Sequence, residues 1–204
     1  MRKIPILLLA LTCASQGFEG SGPQSLEGKV KIELGMMCYE GCEPPLENRL
    51  LKLADAGAVG DVLVKLIHQY KTARSPGPEY LYLRMSISAA GKLGVVAAVP
   101  ALLEFAKSSQ PGRDPRDADD LKMLSYQSIT EIDPKGNKEF LLEALRDKTH
   151  IIRYFAAMGL SKTDDPSVLP ELDVAASREP SHVAFLEMQA LADSLRARLS
   201  ADSK

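Results

Sequence analysis

Three cysteines are present, and two of them, Cys38 and Cys42 in the segment MMCYEGCEPP, stand close enough in sequence for chemistry between their sulfurs. Three residues separate them, with Gly41 beside the second, so a small disulfide-closed loop is sterically accessible. In an exported chain such a pair is read as a disulfide. A loop this short constrains the unfolded chain weakly, so its stabilisation falls at or below the low end of about 2 to 4 kcal/mol. Free thiols, a redox pair and a metal site are the alternatives. Redox pairs usually have two residues between the cysteines, and a zinc or haem site wants a nearby histidine, of which the closest is His68.

The remaining reactive side chains read as structural. His68, His150 and His182 are isolated from one another and from any nucleophile; His68 falls near the end of an expected helix, and His150 and His182 near helix starts. The loop RDPRDADD, residues 113–120, offers Asp114, Asp117, Asp119 and Asp120 as hard oxygen ligands. A helix-loop-helix calcium site would also need a central Gly and a distal Glu, whereas Leu121 and Lys122 follow here and Arg113 and Arg116 offset the charge. Capping by Asp117 or Asp119, with Asp120 in the first turn, is the reading adopted. Tyr80 and Tyr82 in PGPEYLYLR are expected to pack at a helix start rather than to meet a partner. With no Gly-x-Ser-x-Gly elbow, phosphate loop or dinucleotide fingerprint, the sequence nominates no catalytic residue, no cofactor and no metal ligand.

The elements around these residues are helical by pattern. Ala and Leu abound, strand-like runs are scarce after residue 45, and Gly or Pro recurs at turns. The clearest unit is LRDKTHIIRYFAAMGLSKTDDPSVLPEL, from Leu145 to Leu172. Asp147 is placed to cap its first helix, Ile152, Ala156 and Leu160 share a face, and Asp165-Pro166 restarts the chain before Val168, Leu169 and Leu172. Through Ile152, Arg153, Ala156, Ala157, Leu160, Asp165 and Pro166 this unit resembles a HEAT-like repeat, the kind also found in bilin lyase subunits. The resemblance implies an α-solenoid, an architecture that binds many unrelated partners.

A helical pair cannot bury its apolar stripe alone, so further copies are expected. Ala89, Ala90 and Leu93 match Ala156, Ala157 and Leu160 at an offset of 67, while Val99, Pro100 and Leu102 match Leu169, Pro170 and Leu172 at 70, with the difference assigned to the turn. At 39 residues, Leu93 pairs with Ile132 and Leu102 with Leu141, and Ser128 and Ile129 replace the alanine pair. The same step back aligns Ala54 with Leu93 and Leu63 with Leu102, making residues 48–70 an opening unit whose turn Gly57 and Gly60 bracket. The family's Arg is matched only at Arg153; Arg84 lies out of register. At the far end Val183, Leu186, Ala190 and Leu191 share a side of one long helix, which suits a closing cap.

The chain opens with MRKIPILLLALTCASQG, where Arg2 and Lys3 precede an apolar run from Ile4 to Leu11, the pattern of a secretory signal cleaved after Ala14. Cys13 as a lipid anchor is the weaker alternative, because Ala10, Leu11 and Thr12 fit a lipoprotein signal poorly. The run is too short for a membrane span, which takes about 20 apolar residues, and none of that length follows. Lys plus Arg total 25 against 27 for Asp plus Glu, interleaved, which argues against a nucleic-acid groove. In residues 28–37 Val30, Ile32 and Leu34 alternate with Lys29, Lys31 and Glu33, a short strand signal in an extended segment whose Met36 and Met37 would bury against the first layer.

The resulting expectation is all-α: a signal peptide over 1–14, an extended segment with the cysteine pair over 15–45, a repeat domain over 46–199 of about four HEAT-like pairs plus a C-terminal capping helix, and a disordered tail over 200–204. Function is expected to be that of an exported, periplasmic or extracellular interaction scaffold that binds another protein without catalysis. The second helices of such units line a concave face, which nominates Lys65, Gln69, Glu104, Glu143 and Arg146. A lyase-like or chaperone-like subunit related to bilin lyases, or a thiol or metal function at Cys38 and Cys42, is the alternative.

Overall fold

The computed structural model describes residues 24–36, 45–107 and 113–202, and among them every regular element is helical. In chain order these are α1 (Leu26–Gly35), α2 (Leu46–Leu51), α3 (Ala56–Gln69), α4 (Pro78–Lys92), α5 (Val99–Lys107), α6 (Pro115–Ile132), α7 (Lys138–Ala144), α8 (His150–Ser161), α9 (Leu169–Ser177) and α10 (His182–Asp202), with 3-10 turns at Val96–Ala98 and Pro166–Val168. Small polar caps and prolines set the starts. The Ser25, Asp55 and Asp114 side chains each accept a backbone N–H of the first turn, and Pro78 and Pro115 open α4 and α6, where a missing donor costs nothing.

Two sets of helices pack in sequence order. Helix α4 lies against α6, α6 against α8 and α8 against α10, while α3, α5, α7 and α9 each pack on the helix that follows in the chain. Three of the first set share one pattern of burial. Toward their C-terminal ends the buried positions are Ser86, Ile87, Ala89, Ala90 and Gly91 in α4, Ser125, Tyr126, Ser128, Ile129 and Thr130 in α6, and Ala156, Ala157, Gly159, Leu160 and Ser161 in α8. The steps between them are 39 and 31 residues. A face used at i, i+1, i+3, i+4 and i+5 is wider than one apolar stripe, as required of a helix with neighbours on more than one side.

This register differs from the one expected at the alanine pairs. Between α4 and α8 the offset is 70 throughout: Gly94 and Asp164 both adopt positive φ (66° and 56°) after their helices, the 3-10 turns follow at the same spacing, and no insertion falls in the turn. Ala89-Ala90 therefore stands about one helical turn further along its helix than Ala156-Ala157. A shift of three residues nearly preserves the face, since a turn is about 3.6 residues, so the wrong register looks right in sequence.

Charge pairs tie the same helices together. The Arg84 Nη2 of α4 donates to Asp120 of α6 (2.9 Å), Lys122 of α6 donates to Asp147 ahead of α8 (2.6 Å), and Arg153 of α8 donates to Glu179 ahead of α10 (2.6 Å). Each runs from a cation within one helix to an acid near the start of the next. Among the second set, Lys138 at the start of α7 reaches Asp165 and Ser167 at the turn before α9 (2.6 and 2.9 Å).

Several expectations fail in detail. Residues 26–35, expected to be extended, form α1: the Ser25 cap, the Glu27–Lys31 pair at 2.6 Å and burial of Val30 and Leu34 four residues apart all suit a helix, and positions 30 and 34 satisfy a strand alternation and a helical face alike. Met36 is exposed, and Met37 lies outside the described residues, as do Cys13, Cys38, Cys42 and the expected signal peptide. Gly57 and Gly60 lie inside α3; the turn before it is residues 52–55. Asp147 is not the cap residue of α8, which is Thr149; its carboxylate accepts the Thr149 N–H at 2.8 Å. Helix α10 continues through Asp202 where a disordered tail was expected. Its inward face is Ala184, Met188, Ala192 and Leu195, while Val183 and Leu186 are 66% and 48% exposed, because the small Ala184 and Ala192 let α10 approach its neighbours closely.

Candidate binding groove

The helices α5 and α7 are short and flank the longer α6. Because α5 packs on α6 and α7 on α8, an opening is left between them, a groove of about 580 Å³. Helix α5 contributes Lys107 from its last turn, α6 contributes Lys122 and Tyr126 one turn apart, α7 contributes Phe140 and Glu143, and the following turn adds Arg146 and Asp147. Ring stacking fixes the centre: Tyr126 and Phe140 lie nearly parallel, 11° apart with centroids 4.9 Å apart. The Lys107 and Lys122 ammonium groups sit 5.5 Å and 5.9 Å from the Phe140 and Tyr126 centroids.

The charges of the groove separate into spent and available ones. Lys122 and Asp147 neutralise each other at 2.6 Å. Burial pushes the Asp147 carboxyl up, but the Lys122 bond and the Thr149 N–H outweigh it and hold the group below the usual carboxylate range. Tyr126 moves the other way: burial, then the negative charges of Asp147 and Glu143, push its hydroxyl up to about 12, so it stays a proton donor. Lys107 and Glu143 are exposed and stand in no ion pair among the described residues, and Arg146, 71% exposed at its side chain, reaches Glu171 only at 3.7 Å. A smaller hollow of about 250 Å³ lies across Lys122, between α6 and the start of α8, lined in part by Asp119, Met123 and Ile152.

Of the five positions nominated from sequence, all are exposed but they do not form one site. Glu143 and Arg146 line the groove. Lys65 instead reaches back to Glu27 of α1 at 2.6 Å, Glu104 pairs with Lys71, and Gln69 lies on α3 beyond the groove. Lys107, Lys122, Tyr126 and Phe140 were missed. The Lys122–Tyr126 spacing of one turn was the available signal, but nothing in the sequence told which turn of α6 would face an opening.

The other singled-out residues act within the fold. Tyr80 is buried and donates to Asp120 at 2.8 Å, and Tyr82 packs beside Tyr70. The expected cap at Asp117 or Asp119 is Asp114; Asp117 is buried and accepts both the N–H (2.9 Å) and the hydroxyl (2.6 Å) of Ser75, bonds that hold its carboxyl below the usual range. His150 contacts Glu179 at 3.1 Å. Among the described residues no three His, Cys, Asp or Glu side chains gather as a metal site, and no helix is long and apolar enough to cross a membrane.

The arrangement is suited to holding a ligand: an aromatic centre, a protonated phenol and cations of unequal engagement around its rim. Compared with family models, with curated proteins and with solved structures, the chain has no match.

Proposed function

We propose that this chain is an exported α-solenoid of HEAT-like helical pairs that works as a non-catalytic interaction module, holding a segment of another protein in the groove between α5 and α7. In this reading residues 48–70 form the opening unit, and each later unit is a longer helix and the shorter one after it (α4 then α5, α6 then α7, α8 then α9). The shorter helix packs on the longer helix of the next unit, and α10 closes the stack. Support for the repeat reading comes from the burial pattern shared by α4, α6 and α8 and from the charge pairs that link them. Support for export comes from Arg2, Lys3 and the apolar run of residues 4–11.

The observation that carries the function is the groove itself. Its volume of about 580 Å³ lies within the range of small-ligand pockets, about 300 to 1,000 Å³, which is room for a short run of side chains. Both charge signs on its rim suit a protein segment better than a polyanion.

Affinity capture from an envelope fraction tests the reading, with the processed full chain as bait beside Phe140→Ala and Glu143→Arg variants. A partner retained by the parent chain, cross-linked to groove residues and lost on both variants is the expected result. Enrichment indifferent to both substitutions, or none above a control helical protein, overturns it.

A further inference from the structure

Resting on the groove as the binding site, we infer that its occupant is an acidic-aromatic peptide segment, one that sets an apolar or aromatic side chain against the Tyr126–Phe140 pair and a neighbouring carboxylate between Lys107 and Arg146. Charge complementarity selects this occupant. Lys122 and Asp147 cancel at 2.6 Å and offer nothing to a ligand. What remains on the rim is Lys107, with no acid partner among the described residues, Arg146, held only at 3.7 Å by Glu171, and the single acid Glu143. Two engageable cations thus face one carboxylate.

The polar atoms inside the groove lean the same way. The Tyr126 hydroxyl is a donor whose proton no described residue accepts, and Tyr126 lines the groove. A carboxylate can take bonds from a guanidinium, an ammonium and a phenol at once, whereas a lysine-bearing segment would meet two like charges. Aromatic stacking beside a salt link also favours a side chain with a π face, for which Arg146 and Lys107 provide cation contacts.

The test is selection of a phage-displayed library of randomised hexapeptides on the immobilised full chain. The protein contains no tryptophan, so tryptophan-bearing winners can then be titrated by their own fluorescence. Asp or Glu adjacent to Trp, Phe or Tyr is the expected consensus, with replacement of the acid by its amide weakening binding at least tenfold. The Lys107→Glu, Arg146→Glu double variant, altered only at exposed positions, loses that acidic preference while its circular dichroism and melting stay those of the parent. If winners are neutral or basic yet still require Phe140, the acidic assignment falls and the groove stands. If winners bind Phe140→Ala as well as the parent, both fall. Failure to select any saturable binder overturns the inference, leaving the groove to the capture experiment.

Discussion

The Arg153 guanidinium grips Glu179 through two parallel bonds, Nε to Oε1 and Nη2 to Oε2, each 2.6 Å, with the Glu179 side chain wholly buried. The remaining Arg153 nitrogen donates to the carbonyls of Asp147 and Lys148 at 2.9 and 3.1 Å, so one side chain joins α8, the turn before it and the approach to α10. This accounts for the Arg of the recognisable unit as a fastening between helices. Arg153→Met strands a buried carboxylate and is expected to cost about 3 to 5 kcal/mol, as removal of one partner of a buried pair does. Chemical denaturation of the variant against the parent reads it.

The same pair sets a pH dependence. The Arg153 bond, against a smaller opposing effect of burial, holds the Glu179 carboxyl below its ordinary value of 4.5. A carboxyl depressed in the folded state contributes stability above its unfolded value and loses it as the pH falls through the folded value. Stability of the parent therefore declines below about pH 4.5. In Arg153→Met burial acts unopposed by the guanidinium, the carboxyl rises, and protonation relieves the stranded charge. Melting temperature against pH should fall less steeply for the variant than for the parent between pH 5 and 3.

Where α4 meets α6 the backbones are close. A Cβ built on Gly91 would lie 2.9 Å from the Ser128 Cα, a contact that only movement of the helices can relieve. Gly91→Ala gains about 1 kcal/mol of helix propensity and is expected to lose about 1 to 3 kcal/mol to overpacking. A variant that melts above the parent would show that α4 and α6 are not so closely packed.

Buried serines on the same helices divide into used and unused. The Ser128 hydroxyl donates to the Ile87 carbonyl across the α4–α6 contact at 3.0 Å, while the fully buried Ser86 and Ser125 hydroxyls find no partner among the described residues. The counterpart of both in α8 is Ala156. Ser86→Ala and Ser125→Ala are therefore expected to be neutral or to stabilise, and Ser128→Ala to cost about 1 kcal/mol. Urea unfolding of the three variants checks the order.

What was legible in the sequence follows from what each signal constrains. Helix content was, because Pro78, Pro115, Pro166 and the Ser and Asp caps act locally. Burial of Leu102 and Leu141, apolar positions 39 residues apart, was also legible, both being fully buried in the structure. The inward face of α10 was not, since its apolar residues form two stripes and only packing against α8 and α9 chooses between them. Nor was the groove, because Lys107, Tyr126 and Phe140 come from three helices and only their tertiary arrangement brings them together.

The register between α4 and α8 can be decided by experiment on two leucines. An offset of 67 makes Leu93 and Leu160 equivalent, whereas the offset of 70 observed from helix to turn makes Ala90 the counterpart of Leu160 and leaves Leu93 as the C-terminal cap residue of α4. Leu160 is fully buried within its helix, and Leu93 only partly so. Truncating a buried leucine removes its transfer energy and leaves a cavity, whereas a side chain in a partly exposed cap position leaves little void. Leu160→Ala is therefore expected to cost about 2 to 5 kcal/mol and Leu93→Ala less than half as much. Equal losses for the two substitutions would restore the 67-residue register and with it an insertion in the turn.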